Sequence, residues 1–477
     1  MKMLMNPNKE ILAILKEQSV FKATEYRLLN NCLIEDIDGG KILFNGLTRT
    51  CIWLTNAEYR ELLDKDKMDY FLPLYRYYFL VPVDYPEMEI IDLVREQFKP
   101  EIDDTYLNHP ESYTILTTTK CNARCFYCYE HKAKKKNMSE NTAEKVADWI
   151  MNHSYRNIPV GLNWFGGEPL FNQKVINIIT NKLRNNGFKF VSSFTSNGYL
   201  FDEVTVNKAK TMWNTDNVQI TIDGTEHVYN KAKNYIYKKG MSPYKKVLNN
   251  IALLLNAEIK VTIRMNVDVY NGENLKELIK EIHDTFGNHP LLHLYCYPIF
   301  EDDTYQRTEE ERQIVFNTLS ELEQLMDDVK LGAGTAPTPI IMSYQCMVDN
   351  GRSITVSPDG EFGLCEHFID SDFWGSVDSD KVNPEIWHSW KEYEKPMDIC
   401  NDCPLYGSCL RPSKCVEMSK CDKYYKEWKI QKAKTGLRRF YSSITNNIIP
   451  NQYTLPTIKE DPSLKQILKT WIKNKLD

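Results

Sequence analysis

From Ser112 onward the chain repeats one unit: a short run of β-branched and aromatic residues, a loop, then an amphipathic helix. The strand candidates are "SYTILTTT", "VGLNWFGG", "FKFVSSFTSNG", "NVQITIDG", "IKVTIRMNVD" and "LLHLYCYPIF". Between them run helical patterns such as "SENTAEKVADWIMNHS". There Ala143, Val146, Ala147 and Ile150 share a face, and Asn141 with Glu144 forms a candidate capping box. A strand followed each time by a helix returns parallel to its predecessor. Six such units predict an α/β fold whose parallel sheet curls into a partial or whole barrel. Reactive residues are then expected at one rim, where the C-terminal strand ends meet their loops.

The unusual residues fall at that rim. Cys121, Cys125 and Cys128, in "TTTKCNARCFYCYE", follow the first strand. Gly166-Gly167-Glu168-Pro169 follows the second and Thr195-Ser196-Asn197-Gly198 the third. Asp223-Gly224 follows the fourth, and Arg264 and Asn266 lie in the fifth. Three thiolates suit zinc, copper(I) or an iron–sulfur cluster. A structural zinc site is closed by a fourth ligand. The nearest is His131, and C-x3-C-x2-C is not a usual zinc-finger pair. A [4Fe–4S] cluster on three cysteines leaves one iron open to a small molecule.

The rest of the chain bounds the setting. Its 477 residues predict two to four domains, and its net charge of -6 argues against wholesale nucleic-acid binding. No stretch is apolar enough for a signal segment or a membrane span, so a cytoplasmic protein is expected. Thirteen cysteines in a reducing compartment point to metal or redox ligands rather than disulfides. Residues 1–105 read as a separate module, with a hairpin about Asp38-Gly39-Gly40. A helix capped by Thr55, with Tyr59, Leu62 and Leu63 on one face, follows it. The expected organisation continues with the βα core (106–310), a helical bridge (311–342), a cysteine-rich region (343–425) and a basic helical tail (426–477). The tail is expected to present a solvated helical face. Cys32 and Cys51 read as core residues.

The C-x3-C-x-aromatic-C pattern, with Tyr127 before the last cysteine, resembles the radical S-adenosylmethionine (SAM) superfamily. That resemblance implies that Cys121, Cys125 and Cys128 hold a [4Fe–4S] cluster whose open iron is chelated by the methionyl amine and carboxylate. It implies that Gly166, Gly167 and Glu168 form the GGEP loop, with glycine letting the backbone approach the ligand and Glu168 accepting from the methionyl ammonium. Ser196 and Asn197, with Thr221 and Asp223, resemble the ribose and SAM contacts; many relatives have Ser where this chain has Thr221. Arg264 is implied as the partner of the methionyl carboxylate, with a structural ion pair as its alternative. Asn266 would reach the nucleoside or fix Arg264.

Downstream, the spacing about Cys346, Cys365, Cys400, Cys403, Cys409, Cys415 and Cys421 resembles the SPASM extension of that superfamily, which carries two auxiliary [4Fe–4S] clusters. Cys400, Cys403, Cys409 and Cys421 would hold the outer cluster; Cys346, Cys365 and Cys415 the inner one. The interval to Cys415 is longer than usual here, and the inner set lacks an obvious fourth ligand. Either its iron is open or a distant residue such as Cys296 closes it; Cys296 reads as core. A pair of zinc sites is the alternative reading of this region. Glu366 occupies the position proposed for a general base in sulfatase-maturing relatives.

SPASM enzymes act mainly on peptides, and "GKILFNGLTRTCIWLTNAEYREL" resembles the winged-helix-like module with which peptide maturases bind a precursor leader. The expectation is a maturase of a ribosomally made peptide that installs a crosslink, most readily a Cys thioether, as in sactipeptides. An electron donor such as flavodoxin or ferredoxin is implied. The alternatives are a formylglycine-generating sulfatase maturase, carbon–carbon crosslinking, epimerisation, or a scaffold without catalysis.

Overall fold

The structure is a computed structural model. It describes residues 1–18, 25–64, 72–97, 109–237, 240–301, 306–332, 348, 352–367, 371–379, 381–390, 396–409, 414–415 and 421–446. Cys346 lies outside them.

The N-terminal part contains β1 (Lys2–Met5), α1 (Lys9–Gln18), β2 (Tyr26–Leu28), β3 (Cys32–Ile37), β4 (Gly40–Asn45), β5 (Cys51–Thr55), α2 (Asn56–Leu63), α3 (Leu72–Arg76), β6 (Leu80–Pro82) and α4 (Glu87–Gln97). Four of its strands form an antiparallel sheet in the order β1-β5-β4-β3. The expected hairpin is β3–β4, closing at Ile37 opposite Gly40. Thr55 caps α2 as expected: its hydroxyl accepts from Glu58 N at 3.1 Å, and Glu58 returns a bond to Thr55 N at 2.8 Å.

The core follows as β7 (Ser112–Thr118), α5 (Glu140–His153), β8 (Val160–Gly166), α6 (Gln173–Asn185), β9 (Phe190–Ser196), α7 (Glu203–Thr211), β10 (Thr215–Thr221), α8 (Glu226–Lys233), α9 (Pro243–Asn256), β11 (Lys260–Val267), α10 (Gly272–Phe286), β12 (Leu292–Pro298) and α11 (Glu309–Asp328). Strands β7 to β12 are the six expected ones, paired parallel in sequence order. Leu162, Trp164, Phe194, Ile220 and Ile263 from these strands are buried in one cluster with Ile150, Ile179 and Leu254 of the covering helices. Asn141 does not cap α5. Ser139 does, accepting from Thr142 N at 3.0 Å. The helix starts at Glu140, so Asn141 already has helical geometry and cannot take the cap position.

The sheet does not close. The free edge of β7 is taken by β13 (Ser353–Val356), which runs parallel to it, and β14 (Glu361–Gly363) and β15 (Gly375–Ser376) extend the sheet to nine strands. The cysteine-rich region is thereby joined to the core sheet, and Cys365 lies two residues beyond the end of β14. Two helices complete the description, α12 (Pro384–Ser389) and α13 (Lys423–Asn446).

The basic tail departs from expectation as far as it is described. Helix α13 is not a solvated face: Trp428 and Leu437 are fully buried, the latter against Leu33, Ile42 and Phe44 of the N-terminal sheet. Its cations pair with acids on both neighbours, Arg438 with Glu35 on β3, and Arg439 with Asp327 and Lys432 with Glu323 on α11. The positive charge is complementary to packed acidic residues. Among the described residues no helix is long and apolar enough to cross a membrane.

Candidate active site at the sheet rim

The cysteine loop leaves β7 at Thr118, and backbone contacts fix its course. Gly167 N donates to Thr118 O at 3.0 Å and Glu168 N to Lys120 O at 2.9 Å. A Cβ on Gly166, whose φ is 115°, would overlap the Thr118 carbonyl oxygen; one on Gly167 would lie 2.5 Å from the Lys120 carbonyl oxygen. Only glycine permits that approach. The Gly-Gly pair is therefore required by two rim loops closing on each other.

The other side of the loop is stitched as firmly. Arg124 N donates to Lys233 O and Ile236 N to Asn122 O, each at 2.8 Å. Two donors face the first cysteine: Ala123 N is 3.4 Å and Asn197 Nδ2 is 3.8 Å from Cys121 Sγ. Asn197 Nδ2 also donates to Asn122 Oδ1 at 2.6 Å.

Glu168 is wholly buried and saturated from within the chain. Its oxygens accept from Ser196 Oγ at 2.9 and 3.0 Å, Asn197 N at 2.9 Å and Leu170 N at 3.3 Å. Burial pushes its carboxyl up to about 7, although these donors favour the ionised form. Glu168 thus ties the second and third rim loops together.

Tyr127 and Asp223 meet. The Tyr127 hydroxyl donates to Asp223 Oδ2 and accepts from Lys233 Nζ at 2.7 Å. Lys233 Nζ stands 3.1 Å from Asp223 Oδ2, with both side chains buried. Asp223 Oδ1 accepts from Asn266 N at 3.2 Å. The sequence reading missed Lys233, which sits in the basic run "KAKNYIYKK"; nothing local distinguishes it from a solvated lysine.

Thr221 ends β10 opposite Arg264 of β11. Asn266 fixes the arginine, Oδ1 accepting from Nε at 2.9 Å, and the guanidinium lies 5.6 and 5.7 Å from the Tyr297 and Phe300 ring centres. Glu366, beyond β14, feels the Arg264 charge; burial raises its carboxyl and Arg264 partly opposes this. His367, also missed from the sequence, stacks on Tyr129 of the cysteine loop at 4.2 Å and meets Phe300 edge-on at 5.0 Å. Burial and then Arg264 pull its imidazole down to about 4, so it is neutral at pH 7. Tyr129, Arg264, Phe300, Glu366 and His367 thus bring four chain segments to one mouth.

The remaining cysteines divide. Burial pushes the Cys409 thiol up to about 12, with Cys403, Cys421 and Cys400 adding to it; Cys421 rises to about 11 through burial, Cys400 and Cys403. These four are therefore neighbours. Cys400 and Cys403 pack against a cluster of the N-terminal part that includes Leu29, Leu47 and Tyr78, with Tyr406 inserted into it. Asn31 Nδ2 donates to Tyr406 O at 2.9 Å, and the Tyr406 hydroxyl donates to Asp92 at 2.9 Å. Cys365 is half-buried against the core, and Cys415 is half-buried. Cys296, Cys32 and Cys51 are fully or nearly fully buried, and Cys296 Sγ donates to Leu319 O at 3.8 Å.

Residues 115–284 match the model of the Radical SAM superfamily. That match spans the core from β7 to α10. Among curated proteins it is 27% identical over 173 residues to an uncharacterized protein of Methanocaldococcus jannaschii, covering 35% of this chain and 56% of that one. It is 29% identical over 181 residues to a probable GTP 3′,8-cyclase of Archaeoglobus fulgidus, covering 37% of this chain and 55% of that one. The chain spans about half the length of these curated relatives. A solved structure titled native anSMEcpe with bound AdoMet and Cp18Cys peptide shares the fold, at a TM-score of 0.52, 14% identity, and coverage of 70% of this chain and 99% of that chain.

A radical SAM domain implies SAM and a [4Fe–4S] cluster, and the rim fits both. The donor set is soft, and the thiols are close enough that Cys125 and Cys128 each raise Cys121. The buried Asn122 Nδ2, beside Cys121, has no partner among the described residues. Among the described residues no three His, Cys, Asp or Glu side chains converge on a single ion position. A four-iron cube does not ask for that, because each thiolate reaches a different iron.

Proposed function

We propose that this protein is a cytoplasmic radical SAM peptide maturase that installs a crosslink, a Cys thioether, in a ribosomally made precursor. The observation that carries the reading is the shared mouth. Tyr129 of the cysteine loop, Arg264 of the radical SAM domain, and Glu366 and His367 of the cysteine-rich region face one space.

Cys121, Cys125 and Cys128 would hold the SAM-binding cluster. Arg264 offers its guanidinium to the methionyl carboxylate, Glu168 offers charge toward the ammonium, and Tyr127, Gly166, Gly167, Ser196, Asn197, Thr221, Asp223 and Asn266 frame the pocket. When bound, cluster and SAM supply a 5′-deoxyadenosyl radical by one-electron reductive cleavage, and that radical takes a hydrogen atom from the substrate. Glu366, its carboxyl raised by burial, would take the proton of the attacking thiol as general base, and the one electron left over as the carbon–sulfur bond forms would pass to an auxiliary cluster. Cys400, Cys403, Cys409 and Cys421 would hold one auxiliary cluster; Cys365 and Cys415, with Cys346, the other. The N-terminal sheet would receive the precursor's leader as an added strand, and a flavodoxin or ferredoxin would deliver the electron. The comparison structure's bound peptide agrees with a peptide substrate.

The test is anaerobic reconstitution, then SAM, dithionite and a Cys-rich precursor encoded beside the gene. Formation of 5′-deoxyadenosine with loss of two hydrogens per crosslink is expected. Formylglycine in a sulfatase peptide would instead favour sulfatase maturation. SAM intact under full cluster loading would refute both.

A further inference from the structure

Lys233, the last residue of α8, is the one buried lysine among the described residues, and its ammonium reaches the cysteine loop. Its Nζ touches the Tyr127 hydroxyl at 2.7 Å and stands 3.1 Å from Asp223 Oδ2, while its carbonyl receives Arg124 N at 2.8 Å. Tyr127 lies between Cys125 and Cys128, so this lysine is bonded to the cysteine loop at both its backbone and its side chain. The ammonium also lies over the rings of Tyr127 and Tyr229, 5.4 and 5.8 Å from their centres. Only 3% of Lys233 is exposed. A buried lysine costs free energy unless its charge is answered, and Asp223 answers it. The relation runs both ways: without Lys233, Asp223 would be a buried, uncompensated carboxylate hydrogen-bonded to Tyr127.

We propose that Lys233 is a positioning residue for the cluster-binding loop, which clamps Tyr127 against Asp223 and cancels the Asp223 charge so that the cluster held by Cys121, Cys125 and Cys128 can accept an electron. The physical reason is Coulombic. Reduction adds one electron, taken from an external low-potential one-electron reductant, and no proton, so the site becomes more negative by one charge. A bare carboxylate bonded to Tyr127, between two of the cysteines and in a poorly screened interior, disfavours that state. The inference rests on those three cysteines holding a cluster, and is independent of the peptide substrate.

The experiment is a dithionite titration of the reconstituted full-length chain, followed by the electron paramagnetic resonance of the SAM-responsive cluster, for wild type, Lys233→Gln, Lys233→Arg and the pair Lys233→Gln/Asp223→Asn. In Lys233→Gln the ratio of reduced to oxidised cluster at fixed potential should fall at least about tenfold, about 59 mV for a one-electron couple. Lys233→Arg should stay within about threefold of wild type, and the double variant should return to within about threefold. Iron content and the melting of the apo chain are measured alongside. A loaded Lys233→Gln cluster with an unshifted potential would overturn the proposal, and so would a double variant shifted as far as the single one. If Lys233→Gln fails to load, loading restored in the double variant supports charge compensation, and no restoration overturns it. A wild-type chain without a SAM-responsive cluster would overturn the cluster reading and this inference with it.

Discussion

The two cysteine-bearing regions are held by different physics. The segment 118–128 lies inside a lattice of main-chain bonds to Gly167, Glu168, Lys233 and Ile236, with a buried Tyr–Asp–Lys contact beside it. None of those bonds uses a thiol. The region from Cys400 to Cys409 rests instead on turns, anchored by Tyr406 and Asn31 to the N-terminal part. The bonds that hold the first region leave its thiols free of structural duty; the second leans on the N-terminal part. This division suits a site that must present one open iron in fixed geometry and a second set that has only to be kept nearby.

Titration probes the rim most strongly. Glu168 is raised from 4.5 to about 7 by complete burial, so the folded chain holds a proton that the unfolded chain releases. That contribution is fully present below pH 4.5 and is lost as pH rises toward 7 and beyond. Between pH 5 and 8 the stability of Glu168→Gln relative to wild type should rise by on the order of 3 kcal/mol, read from urea melts of the apo chain. A flat difference would mean that Glu168 is ionised in the folded chain throughout.

Steric tests separate the regions next. Gly167→Ala presses a methyl against the Lys120 backbone, which cannot swing aside, and should cost about 2–3 kcal/mol and lower iron loading. Gly375→Ala, in β15, has the edge of the Phe362 ring at 3.2 Å as its nearest neighbour and should cost less than about 1 kcal/mol. Equal losses would erase the contrast between a backbone-locked and a side-chain-lined site.

The most local effect belongs to the anchor. Tyr406→Phe removes hydrogen bonds to a carboxylate and should cost about 1.5–3 kcal/mol locally, less globally because Asp92 can reach water. Hydrogen exchange should show loosening at 398–409 and none at 118–130. Loosening in both would merge the two regions into one unit.

How far the residues announced all this depends on the range of the interactions. The six strands are visible because each carries β-branched or aromatic residues, with burial alternating along β8 to β12, and Thr55 is visible because its cap closes within three residues. Ser139 was passed over for Asn141 because both are good caps and only the helix start decides between them. Strands β1 and β13 are four residues each, too short for a periodicity. The rim motifs were readable as a set, yet their structural reasons were not: the Gly166-Gly167 pair answers to a carbonyl in another loop. Lys233 and His367 could not be found locally at all. Each gains meaning from partners such as Tyr127 or Tyr129, more than a hundred residues away in the chain. The basic helix α13 misled for the same reason, since its acids lie on β3 and α11.

The central claim is that chemistry starts at the backbone-locked loop and not at the anchored one. It is tested most directly by measuring 5′-deoxyadenosine from SAM and dithionite with reconstituted wild type, Cys121→Ala and Cys400→Ala. Wild type and Cys400→Ala should form it, and Cys121→Ala should not. Product from Cys121→Ala at the wild-type rate, or none from a fully loaded wild type, would contradict the account.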